Sequence, residues 1–518
     1  MNKLFSTLLL SIGLLCAGCE PNPKMDLSQS TLIPIPNSIN ASGSSFKFDG
    51  DLEINITEDL DNLGLQAQRL FQPATGFRLP IIKEAKPSSD QLVLRVDSNL
   101  SEQEGAYKLE ITERNISITG VNQAAVYNGL ETLKQLFPKE IVLQESQDRE
   151  AWFIPTGIIQ DAPRYQYRGA MLDVSRHFFS VEDVKSYIDY LAMYKMNVLH
   201  MHLADDQGWR IEIKSWPDLT TKGSVSEVGG GVGGFYTQEE FKELVDYAAG
   251  KYIEIIPEID MPGHINAALH AYPVLNPDDE ELPYYTGMEV GFSTLTYEDP
   301  DTWRFVNDVI RELAEISPSK YIHIGGDETH ATSEEDYQKF IPRIVEIVEA
   351  NDKYAMGWDD VAKAELSQNT VAQLWKPDTK DIMKGLDQGV EIVMSPAKRA
   401  YLDMKYDQST RIGLTWAATI EVDQGYNWDP SSFLEGVNES QIRGMEAALW
   451  TETVENMDDL QYLVFPRLTG YGEVSWSRQE DRDWDAYKVR LKKHLKRLDL
   501  MNINYYHSPL LEDEEIKK

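Results

Sequence analysis

Two adjacent acidic residues, Asp327 and Glu328, follow an apolar run that starts at Tyr321 and stops at two glycines. Side chains alternate between the faces of a strand, so neighbours share one pocket only where the strand gives way to a loop. Gly325 and Gly326 permit that break because glycine adopts backbone conformations that other residues avoid. The pair therefore predicts a proton-transfer site at a strand's carboxyl end. The alternative is a helix cap beside a solvated glutamate.

The rest of the chain supplies a scaffold for such a site. Eight apolar runs of strand length alternate with amphipathic helices, which predicts an α/β fold with a closed (β/α)8 TIM barrel. Capping boxes at residues 180–183 and 237–240 mark the starts of two helices. The predicted strands are 168–174, 197–203, 252–259, 321–325, 354–357, 371–374, 390–394 and 445–449.

The segments outside the barrel predict further parts. Residues 32–160 combine short β-rich segments with one helix over 124–137, which predicts a small α+β domain without obvious chemistry of its own. The catalytic barrel is expected over 161–480. A C-terminal helix with apolar residues at helical spacing, followed by an acidic tail, is expected over 481–518.

The amino end predicts export. A basic start precedes the apolar run 4–15, which is too short for a durable membrane span and is typical of a secretory signal. The segment from Cys16 to Cys19 resembles a bacterial lipoprotein box, whose last cysteine is lipidated. We expect a signal peptide over 1–19, a lipid on Cys19, a linker over 20–31 and a place in the bacterial cell envelope. Cleavage by the general signal peptidase is the alternative.

Charge narrows the choice of partners. Lys plus Arg number 49 and Asp plus Glu number 85, which gives a formal net charge of −36. Such a field repels nucleic acid and anionic membranes, so the only membrane contact expected is the lipid anchor. A sugar-binding cleft lined with carboxylates agrees with this balance. The residues leave the oligomeric state open.

Acids and aromatic residues lie at the predicted strand ends, where barrel enzymes carry their chemistry. Carboxylates hydrogen-bond vicinal hydroxyls, and tryptophan faces stack on the apolar side of a pyranose. The combination predicts a sugar pocket, against the alternative that each tryptophan packs in the core. The residues are Asp173, Asp205, Asp260, His264, Asp327, Glu328, Trp358, Asp360, Trp375, Tyr401, Asp403, Trp450 and Glu452.

The adjacency of Asp327 and Glu328 also constrains the mechanism. A glycosidase that uses two carboxyl groups needs them on either side of the anomeric carbon, roughly 5 Å apart or more. Sequence neighbours cannot easily take those positions. One of the pair is therefore expected to be the general acid, while the other has a second function on the same side of the sugar.

Four motifs together carry a resemblance to a known family. They are Arg-Gly-x-x-Leu-Asp-x-x-Arg-His-Phe from Arg168, His-x-His-Leu-x-Asp-Asp-Gln-Gly-Trp-Arg from His200, Pro-Glu-Ile-Asp-x-Pro-Gly-His from Pro257 and His-Ile-Gly-Gly-Asp-Glu from His323. The chain resembles glycoside hydrolase family 20, the β-N-acetylhexosaminidases, over about residues 32–477. The resemblance implies exo-acting removal of terminal N-acetylglucosamine or N-acetylgalactosamine from glycans or chito-oligosaccharides, without a cofactor or metal.

The resemblance also implies residue roles. In substrate-assisted retaining hydrolysis the 2-acetamido oxygen of the sugar attacks the anomeric carbon. Glu328 is expected to protonate the leaving oxygen and later to activate water, Asp327 to hold the acetamido N–H, and Tyr401 to bond the acetamido oxygen. The residues expected to bind the substrate are Arg168 and Glu452 at the hydroxyls of carbons three and four, Asp403 at the outer hydroxyls, Trp358, Trp375 and Trp450 as walls, and Asp205 and His264 in a polar network supported by Asp260.

Two other functions remain open. His200 and His202 resemble the metal-binding pair of barrel amidohydrolases, with Asp260, His264 and His323 as further ligands. Buried, hydrogen-bonded histidines are the ordinary alternative to that reading. The second possibility is a sugar-binding protein that has lost catalysis but kept its pocket.

Overall fold

The expected division into a small domain and a barrel is present in the structure, a computed structural model that describes residues 22–57, 59–83, 86–376 and 379–512. The expected signal peptide, the lipidation site Cys19 and residues 513–518 of the acidic tail lie outside the described residues. Within the described ranges, none of the helices is long and apolar enough to cross a membrane.

The first part is a seven-stranded mixed sheet in the order β1-β7-β5-β6-β4-β2-β3, with two helices packed on it. Its strands are β1 (Ser38–Asp49), β2 (Glu53–Ile56), β3 (Ile81–Ile82), β4 (Gln91–Val96), β5 (Tyr107–Ile111), β6 (Asn115–Gly120) and β7 (Ala151–Asp161), and its helices are α1 (Asp61–Thr75) and α2 (Gln123–Leu136). The apolar side chains of the strands alternate or run continuously, and those facing the helices are buried.

One of these helices was not expected from the sequence. Helix α2 begins where the side chain of Asn122 accepts a hydrogen bond from the Ala125 N–H, and it was predicted. Helix α1 contains Gly64 and Pro73, and its first turn lacks a side-chain cap, so its local signals are weak. Buried Phe71 and its apolar neighbours on the sheet supply the packing that stabilises it.

The second part is a closed barrel in which every neighbouring pair of strands is parallel. Its strands are β8 (Tyr167–Asp173), β9 (Val198–His202), β10 (Glu254–Glu258), β11 (Tyr321–His323), β12 (Tyr354–Trp358), β13 (Val371–Leu374), β14 (Glu391–Met394) and β15 (Ile442–Leu449). All eight predicted strands are present, and the TIM-barrel prediction is confirmed.

The helices that follow the barrel strands begin as their sequences predict. In both expected capping boxes, at Ser180 and at Thr237, the hydroxyl and the acidic side chain three residues later each bond the backbone N–H of the other. The helices are α3 (Val181–Met193), α4 (Asp218–Thr221), α5 (Gln238–Ala249), α6 (Asn266–Ala271), α7 (Pro300–Ile316), α8 (Glu334–Ala350), α9 (Lys380–Asp387), α10 (Ala397–Ala400), α11 (Val422–Tyr426), α12 (Met457–Val464), α13 (Arg467–Trp476) and α14 (Trp484–Leu500).

A buried ion pair joins the last helix to the rest of the molecule. The guanidinium of Arg490 in α14 contacts both carboxylate oxygens of Glu473 in α13, at 2.6 and 2.7 Å. Arg490 also donates to the carbonyl of Leu32 at 2.7 Å, and Glu473 accepts from the N–H of Ile35 at 2.9 Å. The pair therefore connects the barrel, the C-terminal helix and the segment that leads into the first sheet.

We expect Arg490→Met to lower the free energy of unfolding by about 3 kcal/mol, because it leaves the carboxylate of Glu473 buried without its cation. Thermal or urea unfolding monitored by circular dichroism measures the effect. Arg311→Met is the matched control, since Arg311 is about half exposed and its closest ion pairs, with Asp308 and Glu315, are partly exposed to solvent. Equal losses of stability in the two variants would contradict the connecting role of Arg490.

Candidate active site

The backbone after β11 places two carboxylates on one side of a cavity. Gly325 and Gly326 have φ angles of +63° and +93°, and Glu328 has a φ of +46°. The N–H of Gly326 donates to Asp260 Oδ1 at 2.9 Å, which fixes the loop against the end of β10. The side chain of Asp327 is 9% exposed and that of Glu328 is 30% exposed. Both acids therefore face the same space, one nearly enclosed and the other accessible.

Glycine is required at both positions for a second reason. A Cβ at Gly325 would lie 2.1 Å from the carboxyl group of Asp260, and a Cβ at Gly326 would lie 2.7 Å from Val361 Cγ1. Neither contact is possible without displacing the carboxyl group or the side chain beneath the loop. The sequence Gly-Gly-Asp-Glu is thus explained by positive φ angles and by close packing.

The two acids open onto a cavity of about 270 Å³ at the carboxyl ends of the barrel strands. Its volume lies just below the usual range for ligand pockets, roughly 300–1,000 Å³, and suits a single sugar ring. The lining residues are Arg176, His264, Met288, Val290, Asp327, Glu328, Trp375, Tyr401, Asp403, Leu414, Trp416, Trp450 and Glu452. Eight of the residues singled out in the sequence, from five different strand ends, meet here.

The structure corrects the role expected for Arg168. This residue lies at the amino end of β8, where it donates to the carbonyls of Tyr165, Gln166 and Lys195 at 2.8–3.2 Å. Arg176, three residues beyond the other end of the strand, lines the cavity instead. Both arginines belong to the same sequence motif. The expected contact between Arg168 and sugar hydroxyls is therefore wrong, since a strand length separates it from the site.

Arg176 is held rigidly where it enters the cavity wall. Its two terminal nitrogens contact Asp205 Oδ2 at 2.7 Å and Asp173 Oδ2 at 3.3 Å. Its guanidinium lies over the ring of Trp450, 4.8 Å from the centroid. Its Nε–H is buried and has no partner among the described residues. A buried, preorganised guanidinium of this kind suits the recognition of sugar hydroxyls.

The aromatic residues occupy two levels. Trp375 and Trp450 line the cavity, as expected. Trp358 is fully buried beneath Trp450, with ring centroids 5.6 Å apart, and donates from Nε1 to Glu258 at 2.9 Å. Trp358 packs in one cluster with Tyr401, Trp375 and Trp450, which line the cavity, and its expected role as a wall stays a prediction. Trp416, which the sequence analysis did not single out, is 57% exposed at the rim.

Asp205 is enclosed by other side chains. Its Oδ1 accepts from His264 Nδ1 at 3.2 Å, and its Oδ2 lies 2.7 Å from Arg176 and 3.0 Å from His202 Nε2. Asp205 is therefore not among the lining residues, and the expectation that it binds substrate directly is wrong. It belongs to the polar network that was expected beside the acid.

His264 is a cation at the floor of the cavity. Its Nε2 lies 3.6 Å from Glu328 Oε2 and 4.0 Å from Asp327 Oδ2. Burial lowers the pKa of His264, but the carboxylate of Asp205 more than compensates and raises that pKa well above its usual range. A protonated imidazole here attracts the negative charge that an acid leaves behind when it gives up its proton.

Two neighbouring buried acids, Asp260 and Asp327, have pKa values above their usual range. Burial raises the pKa of Asp327 to about 6, although the cation of His264 opposes the change. Burial and the neighbouring Asp327 raise the pKa of Asp260 well above its usual range. A neutral Asp260 donates a hydrogen bond to Asp327 and keeps its proton, so Asp327 is the member of the pair that carries the negative charge.

Several buried polar atoms of the site have no hydrogen-bond partner among the described residues. Within the described residues, Asp327 Oδ1, both oxygens of Asp403 and Glu452 Oε2 are buried and accept no hydrogen bond. Burial raises the pKa of Asp403 well above its usual range, and Glu452 adds to the effect. Tyr401 is 2% exposed, and burial raises its pKa well above 10, so its hydroxyl is a donor. Buried unsatisfied groups are costly, which indicates a ligand rich in N–H and O–H groups.

Within the described ranges, three sets of residues have the types and spacing of metal ligands: His200 with Glu258 and His323, Asp205 with Asp206 and His264, and Asp260 with His264 and Asp327. A histidine binds a metal through a nitrogen lone pair. Both nitrogens of His200 and of His202 lie 2.6–3.0 Å from carboxylates, and these raise the histidine pKa values to about 10 and about 9. This arrangement favours protonated, hydrogen-bonded histidines over metal ligands.

Two family models match the chain. Residues 165–479 match the model described as Glycosyl hydrolase family 20, catalytic domain, and residues 29–162 match Glycosyl hydrolase family 20, domain 2. A protein from Cellulomonas fimi named beta-N-acetylhexosaminidase is 39% identical over 460 residues, which cover 88% of this chain and 91% of that protein.

Solved structures share the whole described fold. The GH20 beta-N-acetylhexosaminidase from Streptomyces coelicolor A3(2) superposes with a TM-score of 0.89 at 42% identity, over 95% of this chain and 99% of that one. A mutant Streptomyces plicatus beta-hexosaminidase in complex with product (GlcNAc) superposes with a TM-score of 0.90 at 42% identity, over 94% and 99% of the two chains.

The raised pKa of Asp327 predicts a pH-dependent cost in stability. An unfolded aspartate loses its proton near pH 4, whereas folded Asp327 keeps it to about pH 6, so a rise in pH over this interval favours unfolding. We expect Asp327→Asn to be more stable than wild type by up to about 3 kcal/mol above pH 6, from 1.36 kcal/mol per pKa unit, and the difference to shrink below pH 4. Melting temperatures across pH measure it.

The exposed residue Asp246 in α5 provides the control. Asp246→Asn should leave the melting temperature close to that of wild type at each pH. If Asp327→Asn is no more stable than wild type at pH 7.5, burial does not strain this carboxylate.

Proposed function

The chain belongs to glycosyl hydrolase family 20, and we propose that it is an exo-acting β-N-acetylhexosaminidase. It removes terminal non-reducing N-acetylglucosamine or N-acetylgalactosamine from glycans or chito-oligosaccharides, with retention of configuration. A single-sugar cavity at the carboxyl ends of the strands supports the exo mode, because the leaving part of the substrate must extend out past the rim.

The observation that carries this proposal is the set of buried acceptors that have no partner in the part of the chain that the structure describes. Asp327, Asp403 and Glu452 carry such oxygens and line the same cavity as Trp375 and Trp450. A pyranose with an acetamido group supplies hydroxyl and N–H donors for these oxygens and an apolar face for the tryptophans. Arg176, together with Asp403 and Glu452, binds the ring hydroxyls.

The positions of Asp327 and Glu328 support substrate-assisted catalysis. Both acids belong to one turn after β11 and reach the sugar from one side, so neither is placed to attack across the anomeric carbon from the other. The acetamido oxygen attacks that carbon instead. The bond to the leaving oxygen breaks as Glu328 gives it a proton, and the ring closes to an oxazolinium ion. Asp327 accepts the acetamido N–H as positive charge develops, and the Tyr401 hydroxyl donates to the acetamido oxygen.

The second half of the reaction uses the same residues in reverse order. Glu328, now a carboxylate beside the cation of His264, accepts a proton from water as the water oxygen attacks the anomeric carbon. The bond between that carbon and the acetamido oxygen breaks, and the acetamido group is restored. Two displacements at one carbon give net retention.

We expect Glu328→Gln to lower kcat on 4-nitrophenyl N-acetyl-β-glucosaminide by about 10²- to 10⁴-fold, since the amide cannot supply the proton. Binding of N-acetylglucosamine, measured by calorimetry, should stay within a few fold of wild type. Glu334→Gln, an exposed residue at the start of α8, is the matched control and should hydrolyse like wild type. Equal hydrolysis by wild type and Glu328→Gln would mean that Glu328 is not the acid, and would support a pocket that only binds.

We further propose that the protein is exported and anchored in the bacterial cell envelope by a lipid on Cys19. The support is the sequence itself: a basic start, the apolar run 4–15 and small residues before Cys19. We expect Cys19→Ser to move the protein from the membrane fraction to the soluble fraction of the native host. Cys16→Leu, which changes the other cysteine of the chain to an aliphatic residue, should stay with the membrane. Identical fractionation of the two variants would contradict lipidation at Cys19.

A further inference from the structure

A row of alternating carboxylates and histidines runs through the barrel interior and ends at the acid. His200 lies 2.9 Å from Glu446 and 3.0 Å from Glu258, and His202 lies 2.6 Å from Glu258 and 3.0 Å from Asp205. Beyond Asp205 the row continues through His264 to Glu328. The strands β15, β9 and β10 supply its inner members. The interior of the barrel therefore contains an ionic chain where apolar packing is the rule.

The members of this chain are deeply buried and carry opposite charges in turn. The three inner residues Glu258, His200 and His202 are 0% exposed. Burial lowers the pKa of His202, but Glu258 and Asp205 raise it to about 9, so His202 carries a proton on each nitrogen. The three histidines that contact Glu258 hold its pKa well below its usual range despite burial. Alternation lets each buried charge offset its neighbours.

His202 is surrounded on every side by groups that fix its orientation. Glu258 of β10 faces its Nδ1, and Asp205 of the following loop faces its Nε2. Asp173 of β8 adds to the negative field, and the edge of Trp450 packs against the ring with centroids 5.0 Å apart. His202 therefore cannot rotate without breaking two charged hydrogen bonds.

Three cationic side chains contact the Asp205 carboxylate. Arg176 and His202 hold its Oδ2, while its Oδ1 accepts from His264. Asp173, Asp206 and Glu452 are the other acids near this cluster. The orientation of the His264 ring follows from the Asp205 carboxylate. His202 and Arg176 orient that carboxylate at Oδ2, and the N–H of Asp206 donates to its Oδ1 at 2.5 Å. His202 therefore influences, through Asp205, where His264 Nε2 lies opposite Glu328.

We propose that His202, held between the carboxylates of Glu258 and Asp205, is a positioning residue for the general acid and acts on Glu328 through Asp205 and His264. This inference rests on the proposed function, since it concerns the proton that Glu328 gives to the leaving oxygen. When that proton leaves, the new carboxylate faces the His264 cation, and the chain holds the cation in place to stabilise it. His202 itself touches neither substrate nor reacting atoms.

Two amide substitutions separate the two contacts of His202. The amide nitrogen of glutamine reaches the place of Nε2, so His202→Gln keeps a donor to Asp205 and loses the one to Glu258. The amide nitrogen of asparagine reaches the place of Nδ1, so His202→Asn keeps the donor to Glu258 and loses the one to Asp205. Both variants lose the positive charge. If His202 acts on the acid through Asp205, His202→Asn should lose more activity than His202→Gln.

The test uses aryl N-acetyl-β-glucosaminides whose leaving phenols differ in acidity. A phenol of low acidity needs the proton from Glu328, whereas a dinitrophenolate leaves without it. We expect His202→Asn to lower kcat/KM by about 30- to 100-fold for the phenyl substrate but by less than about 3-fold for the dinitrophenyl substrate, and His202→Gln to show the same pattern at smaller amplitude.

The pH profile supplies an independent readout. Removing a positive charge from the chain makes loss of the proton from the acid less favourable, so the alkaline limb of kcat/KM should move to higher pH in both variants. His494→Gln is the control, because His494 is also buried but contacts the carbonyl of Thr31, far along the chain from the barrel mouth. It should leave the limb and the leaving-group dependence unchanged.

The outcomes separate this inference from the proposed function. If wild type hydrolyses none of the substrates, the proposed function is wrong. If wild type is active and both His202 variants lose the same factor on every substrate, with an unmoved alkaline limb, His202 is only structural and the inference is overturned. Should His202→Asn fail to fold, as judged by its melting temperature, His202→Gln decides between the two results by the same measurements.

Discussion

The site depends on one constraint, the abrupt end of β11 in a loop with positive φ angles. Gly325 and Gly326 turn the chain so that Asp327 and Glu328, which a regular strand would direct to opposite faces, both reach one cavity. Asp260 fills the space that a side chain at Gly325 would need and binds the loop through the N–H of Gly326. The mechanism follows from this turn, because two acids on one side of a sugar leave the other side to the substrate's own acetamido group.

The same site carries a cost that a ligand relieves. Buried oxygens of Asp327, Asp403 and Glu452 accept no hydrogen bonds within the described residues, and burial raises the pKa of each of these acids. Such groups destabilise the folded protein until donors from a sugar satisfy them. The ionic chain beneath them is different in kind, since its charges alternate and each has a partner. The unsatisfied acids at the cavity therefore lower the stability of the folded protein, whereas the paired charges of the ionic chain avoid that cost.

Much of this arrangement could be predicted from the sequence, and the failures have physical causes. The barrel strands are mostly apolar runs of strand length, so all eight were found, and the pocket acids follow them directly. Arg168 and Arg176 belong to one motif, and the motif alone does not tell which of them reaches the site. The direction of β8 decides this, because only Arg176 lies beyond its carboxyl end. Trp416 lies in a long irregular segment without periodicity, and α1 depends on tertiary packing that overrides Gly64 and Pro73.

The central claim is that the sugar's acetamido oxygen is the nucleophile, and replacing the hydrogens of its methyl group by fluorine tests it most directly. Each fluorine withdraws electrons from the carbonyl oxygen without changing the ring or the leaving group. In a series of 4-nitrophenyl glucosaminides with zero to three fluorines, the account predicts a steep, monotonic fall in kcat/KM with fluorine count. A flat dependence would contradict it and indicate that a protein carboxylate attacks the anomeric carbon.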